Sequence, residues 1–321
     1  MILHERPGVY SEFTVTGITS PRAGALSVAV VAVPAAAGEM KALLKAGGIG
    51  RITEKTLAAS PNTAQYTAAF AELEALEGID IIVCDSSDTA VLTALRDSVT
   101  AASGARRERI AVAAALSDVP AQAAAQAALI GSERVILAAP RAADAKGYTI
   151  AAALAAAIGA EADPALPLHG ALLPGISGLS REYDDDEIDT LVRGGVTVLE
   201  YAAGAASVVR GVTTRTKTGG APDATWRDIT TVRIADSVMA GLRNALRARF
   251  ARSKNTAQVR SAVQSQVVME LEGFKARQII DGYADVTVTP RADDAAVCDV
   301  GFSFAVAHGL NHIVLSVSMT V

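Results

Sequence analysis

The chain has 321 residues, 50% hydrophobic and 20% charged, which is enough apolar material for one large core or two moderate ones. Its formal charge is −5 and it contains no block of five or more like charges, which removes the global electrostatic case for nucleic acid. The longest apolar stretches, "LSVAVVAVPAAA" and "AAALAAAIGA", fall well short of the ~18 residues a membrane span needs, so direct membrane insertion is not expected.

In chain order, the N-terminal stretch "MILHERPGVYSEF" carries charges and a proline where a secretory signal would need an apolar segment, so synthesis in the cytoplasm is expected. From residue 27 onward, short β-branched runs alternate with alanine-rich stretches. "SVAVVAVP" (27–34), "IDIIVCD" (79–85), "RIAVAAAL" (109–116) and "RVILAAP" (134–140) are continuous apolar runs of strand length, as strands buried on both faces of a parallel sheet must be. "TAQYTAAFAELEAL", "DTAVLTALRDSVTAAS", "VPAQAAAQAALIG" and "TIAAALAAAIGAEA" have helical periodicity and composition. Cys84 and Cys298 both lie in apolar strand-like runs, far apart, so they read as two buried thiols and not as a disulfide framework.

Residues 163–187, "DPALPLHGALLPGISGLSREYDDDE", are dense in Pro and Gly and then acidic, which marks a connection, and the domain boundary is expected there. "EIDTLVRGG" reads as a short helix with a glycine stop, and "VTVLEYAAGAASVVRGVTTRTKTGG" alternates like paired strands running into a Gly-Gly-Ala-Pro tip, Gly219 to Pro222. Ile234, Val238, Leu242, Leu246 and Phe250 predict a helix over about 229–251. Val259, Val263, Val267 and Leu271 predict another over about 256–271, with Gly273 as its stop. "YADVTVTP", "AVCDVGFSFAVAH" and "NHIVLSVSMTV" return to strands. The fold class expected is therefore α/β with a mostly parallel sheet, followed by a C-terminal α+β part.

Candidate chemistry is sparse. "KAGGIGR" lacks the spacing of a phosphate loop and "GISGL" lacks the last glycine of a nucleophile elbow. Asp85 and Asp88 follow an apolar strand, where doubly wound enzymes bind ligands, which keeps open an α/β enzyme holding a nucleotide or small acid near Asp85. The competing reading of Ser86, Ser87 and Asp88 is a helix N-cap. "YDDDEID" suits first-turn acids better than a cation site, and His308 and His312 lie in "AHGLNH", which reads as a hairpin turn without helical i, i+4 geometry. No catalytic, metal or cofactor constellation emerges.

What stands out instead is structural. Ile313, Leu315, Val317, Met319 and Val321 share one face of a C-terminal strand, and Val9, Phe13 and Val15 share a face at the N-terminus, with Tyr10 opposite. Such terminal strands pair either within their own sheet or with another chain. The helix carrying Arg243, Arg247, Arg249, Arg252 and Lys254 has one acid, Asp236, and so concentrates positive charge in an acidic protein.

"LVRGGVTVLEYAAGAASVVRGVTTRTKTGGAPDATWRDITTVRIADSV" (191–238), with its Gly-Val stretch, its "RGVTT" strand, the Trp-Arg-Asp after a Gly/Pro tip and "RIAD" entering a helix, resembles the C-terminal domain of contractile tail sheath proteins of bacteriophages and phage-tail-like bacteriocins. "RPGVY" (6–10) is similar to that family's start, and the short chain looks like the compact Gram-positive type. The resemblance implies a non-enzymatic subunit that polymerises with itself, as hexameric rings in a helical sheath, around a tail tube protein, with baseplate and tail terminator proteins as further partners. It implies N- and C-terminal arms, residues 1–20 and 311–321, that cross into neighbouring subunits, an outer α/β domain over 21–175 and a sheath core over 176–310. The basic helix at Arg243 to Lys254 would face the tube. The subunit would be assembled in the host cytoplasm and reside in a virion or extracellular particle.

Overall fold

A computed structural model describes residues 26–309. The terminal residues singled out above, Val9, Tyr10, Phe13, Val15, Ile313, Leu315, Val317, Met319 and Val321, lie outside the described residues, as does His312.

The first body alternates strand and helix: β1 (Val28–Ala32), α1 (Pro34–Ala46), β2 (Ile52–Thr56), α2 (Thr63–Glu74), β3 (Ile81–Cys84), α3 (Thr89–Gly104), β4 (Ile110–Ala114), α4 (Pro120–Ile130), β5 (Val135–Ala139) and α5 (Gly147–Ala160). The four apolar runs are β1, β3, β4 and β5, and every residue in them is buried. Alternation then sorts their side chains. Val28, Val30 and Ala32 enter a core with α1 and α5, while Ala29 and Val31 enter a second core with α2, α3 and α4 on the opposite face.

Two elements escaped the apolar-run criterion. β2, "ITEKT", is a charged edge strand, and its Glu54 and Lys55 pair with Lys41 and Glu72, the kind of side chain that blunts an exposed edge. The other is α1, whose first position is Pro34, where a missing N–H costs nothing.

The strand order is β2-β1-β3-β4-β5, all parallel, a flavodoxin-like doubly wound order. It does not stop at the division expected at 175/176. After α6 (Asp185–Arg193), β6 (Thr197–Ala202) docks parallel to β5 and β7 (Ala205–Arg210) turns back antiparallel, completing a seven-stranded sheet. The Pro/Gly-rich connection seals the outer edge of β7. The Leu173 amide donates to the Ala206 carbonyl at 2.8 Å and the Val208 amide to the Ala171 carbonyl at 3.0 Å.

A small hairpin follows, β8 (Lys217–Thr218) and β9 (Ala221–Pro222), and then the long helices α7 (Ile229–Phe250) and α8 (Ala257–Ala276). Ile234, Val238, Leu242 and Leu246 of α7 pack on Val263, Val267, Leu271 and Phe274 of α8. Gly241 is required at this crossing, because a Cβ there would lie 2.7 Å from the Phe274 ring. Gly273 is not the stop of α8. The helix runs one turn further, burying Phe274, and ends near Gln278, whose φ is 59°. β10 (Ile280–Pro290) and β11 (Cys298–Val306) close the described chain as an antiparallel pair over the two helices. Cys84 is buried as expected, whereas Cys298 is only half-buried because it opens β11 at the rim of that pair.

Candidate functional site

In a doubly wound sheet the ligand crevice opens at the carboxyl ends of the strands where the order reverses, here between β1 and β3. Asp85 occupies it. Its carboxylate accepts the Val33 amide at 2.8 Å and the Tyr66 hydroxyl at 2.5 Å, and burial followed by that bond pushes the Tyr66 phenol up. Asp88 caps α3, accepting from the amides of Ala90 at 2.8 Å and Val91 at 3.3 Å, so the capping reading holds. Both helix N-termini flanking the crevice are thus closed by the chain itself: α1 by Pro34 and the Asp85–Val33 bond, α3 by Asp88.

Further along the same edge, Asp118 binds Arg141 through both carboxylate oxygens at 3.1–3.2 Å and accepts the Ser180 hydroxyl at 2.9 Å, while its carbonyl takes the Tyr183 hydroxyl at 2.8 Å. These bonds fasten the 163–187 connection to the sheet. In "YDDDEID", Asp184 and Glu187 form a capping box at the start of α6, and among the described residues no cluster has the make-up of a metal site. "KAGGIGR" is the turn between α1 and β2.

The basic helix divides. Arg243 faces inward, its guanidinium paired with Glu108 at the foot of β4, the two side chains 12% and 1% exposed. Asp236 also faces inward and receives Arg134 through two bonds, Nη1 to Oδ2 at 2.5 Å and Nη2 to Oδ1 at 2.8 Å. Burial pushes the Glu108 carboxyl up to about 7 and Asp236 up to about 6, outweighing their arginines. Sequence reasoning missed Glu108 and Arg134. Their only signal is a charged residue placed directly before, or at the first position of, an apolar strand run. Arg247, Arg249, Arg252 and Lys254 are exposed. Arg249 also donates to Gln266 and lies 5.7 Å above the Phe250 ring.

The β10–β11 pair has no further strand neighbour among the described residues. Its inner face, Val286, Val288, Val300, Phe302 and Phe304, rests on the α7–α8 core and is half-buried, so among the described residues both edges of the pair carry no further strand. The Gly219–Gly220 tip is a two-residue turn with φ of 58° and 87°, the positive values that favour glycine at both positions. Asp223 braces it, held down at about 2 by hydrogen bonds from Thr218 and Thr225.

Two family models match the chain, and both are of phage tail sheath domains. The phage tail sheath central domain matches residues 59–214 and the phage tail sheath C-terminal domain matches 221–320. The first extends the likeness over a stretch where the sequence offered only architecture. No curated protein sequence matches the chain. Two solved structures of the anti-feeding prophage, its 6-fold symmetrised baseplate and its helical sheath in the contracted state, share the fold with TM-scores of 0.72 and 0.71. Each is 16% identical and covers 99% of this chain and 100% of its own. The sheath tail protein of Desulfitobacterium hafniense matches with a TM-score of 0.59 at 17% identity, over 81% of this chain and 65% of that one. With both domains matched in order along the chain, the protein belongs to the phage tail sheath family and is a structural subunit of a contractile sheath, not an enzyme.

Proposed function

We propose that copies of this chain polymerise as stacked hexameric rings around a tail tube and contract to drive that tube through a target envelope. The observation that supports this reading is the β10–β11 pair: among the described residues its two edges carry no further strand and its inner apolar face is half-buried, which strands from other copies would complete. The strands supplied are the terminal arms, 8–17 and 311–321. Each main-chain bond gained contributes only about 0.5–1.5 kcal/mol. A strand of several such bonds with an apolar face holds neighbours together while the subunits move.

Arg247, Arg252 and Lys254, with Arg249 beside them, are the tube-facing cations. Their exposure suits screened, breakable contacts with an acidic wall, and Arg243 drops out because Glu108 already holds it. Baseplate and tail terminator proteins are the partners at the two ends. Assembly takes place in the host cytoplasm, and the mature subunit resides in a virion or extracellular particle. Electron microscopy of the purified full chain tests the reading: tubular polymers with sixfold end views are expected, and a small monodisperse particle under every assembly condition contradicts it.

A further inference from the structure

We propose that a proton operates the hold of α7 on the sheet: with the proton on Glu108 the helix stays seated across the feet of β4 and β5, and when it leaves, α7 loosens together with α8 and the β10–β11 pair packed on them. The device lies within one subunit and goes beyond the sheath reading. Helix α7 crosses the end of the sheet where the parallel strands begin. Its Ile229 amide donates to the Gly211 carbonyl at 3.4 Å and its Arg233 Nη2 to the Glu161 carbonyl after α5 at 2.8 Å. Asp236 and Arg243 then meet Arg134 at the foot of β5 and Glu108 at the foot of β4. Positions 233, 236 and 243 fall on one helix face, because steps of three and seven return to the same side. Ile229 and Val232 enter a core of the sheet, but no residue of α7 beyond Val232 belongs to either sheet core, and Ile234, Val238, Leu242 and Leu246 pack toward α8. Past its first turn, α7 is therefore held to the sheet chiefly by charge.

A hold of that kind depends on its charge state. The Glu108 side chain is 1% exposed, and while one of its oxygens takes Arg243, the other, Oε2, is enclosed and accepts no hydrogen bond. An ionised carboxylate with a bare oxygen away from water is costly, and a proton removes that cost. The charged groups around Glu108 do not reverse the balance. From α7 it faces Arg243 and Asp236, and Asp236 is bound to Arg134 and neighboured by Glu133, which itself holds Arg215. Along its own segment Glu108 is flanked by Arg107 and Arg109, and the Arg109 guanidinium donates to the carbonyls of Arg107, Leu73 and Leu76. Burial outweighs Arg243 and raises the folded Glu108 from 4.5 to about 7. The seated helix thus keeps a proton that the loosened state gives up, so the hold weakens as pH rises from about 4.5 to about 7 and is level above that.

Hydrogen exchange of the full chain, read peptide by peptide at pH 5 and pH 8 and corrected for the intrinsic rate, tests this. Between those pH values the opening constant of α7 should rise about fiftyfold more in the unaltered chain than in Glu108→Gln, whose amide stands in for the protonated acid, while β1 and β3 keep their protection in both. An equal rise in the two chains, or sheet strands that open together with α7, overturns the proposal. A second measurement needs no variant and decides the matter if Glu108→Gln does not fold. With carbon-13 in the glutamate carboxyls of the full chain, nuclear magnetic resonance should show one carboxyl titrating near pH 7, well apart from the rest. Glutamates that are all ionised by about pH 6 overturn the proposal. Either failure leaves the sheath reading standing, because the device needs no neighbouring copy.

Discussion

Arg134 and Asp236, 102 residues apart in sequence, meet through two hydrogen bonds of 2.5 and 2.8 Å, with side chains 0% and 4% exposed. The pair joins the foot of β5 to α7, and Glu108–Arg243 repeats the arrangement from β4 further along the same helix. Helix α7 is thereby fastened to the sheet by charge as well as by apolar packing.

Removing one partner exposes how much that fastening matters. Asp236→Ala leaves Arg134 buried beside a missing carboxylate, and a loss of about 3–5 kcal/mol is expected in denaturant unfolding at pH 8. Replacing both residues by apolar side chains of similar volume should recover most of the loss. A single substitution that costs under about 1 kcal/mol contradicts the assignment.

The pH dependence of the same junction has a definite sign. Glu108 is an acid whose folded pKa is raised from 4.5 to about 7, so its contribution is fully present below about pH 4.5 and is lost as pH rises through about 7. Glu108→Gln removes that titration. Its stability relative to the unaltered chain should improve from pH 5 to pH 8, by on the order of 2 kcal/mol. A difference that stays flat or runs the other way excludes a raised Glu108.

Charge reversal separates the two halves of the basic helix. Arg247→Glu with Arg252→Glu should leave the melting temperature within a few degrees and weaken co-assembly with the tube protein, most visibly at low salt. Arg243→Glu should instead destabilise the fold, because it sets a second carboxylate against buried Glu108. Unchanged co-assembly of the first variant moves the tube contact elsewhere.

Deleting residues 311–321 should leave a chain with an unaltered circular dichroism spectrum that no longer sediments as polymer. Unfolding of the truncated chain would show that those residues belong to its own core.

The legible part of the fold was the part whose burial is written in one stretch of chain. β1, β3, β4 and β5 are buried on both faces and read as apolar runs, and α7 and its partner face on α8 follow from i+4 spacing. β2 was hidden because an edge strand carries charges such as Glu54 and Lys55. β6 and β7 alternate as any hairpin does, and nothing in that alternation says that β6 docks on β5. Arg243 was misplaced on the surface for the same reason. Its partner Glu108 lies 135 residues away, and helical periodicity carries no information about it. At the sheet edge, the N-cap at Asp88 was readable from neighbouring residues, but the engagement of Asp85 by Tyr66 was not.

The central claim is that strands from other copies complete the β10–β11 sheet. A density map of the assembled polymer, traced through residues 311–321, tests it most directly. The account predicts that the chain leaves its own subunit after Gly309 and pairs along the β10–β11 sheet of a neighbour. A trace that folds back along its own β10–β11 pair in every copy contradicts it.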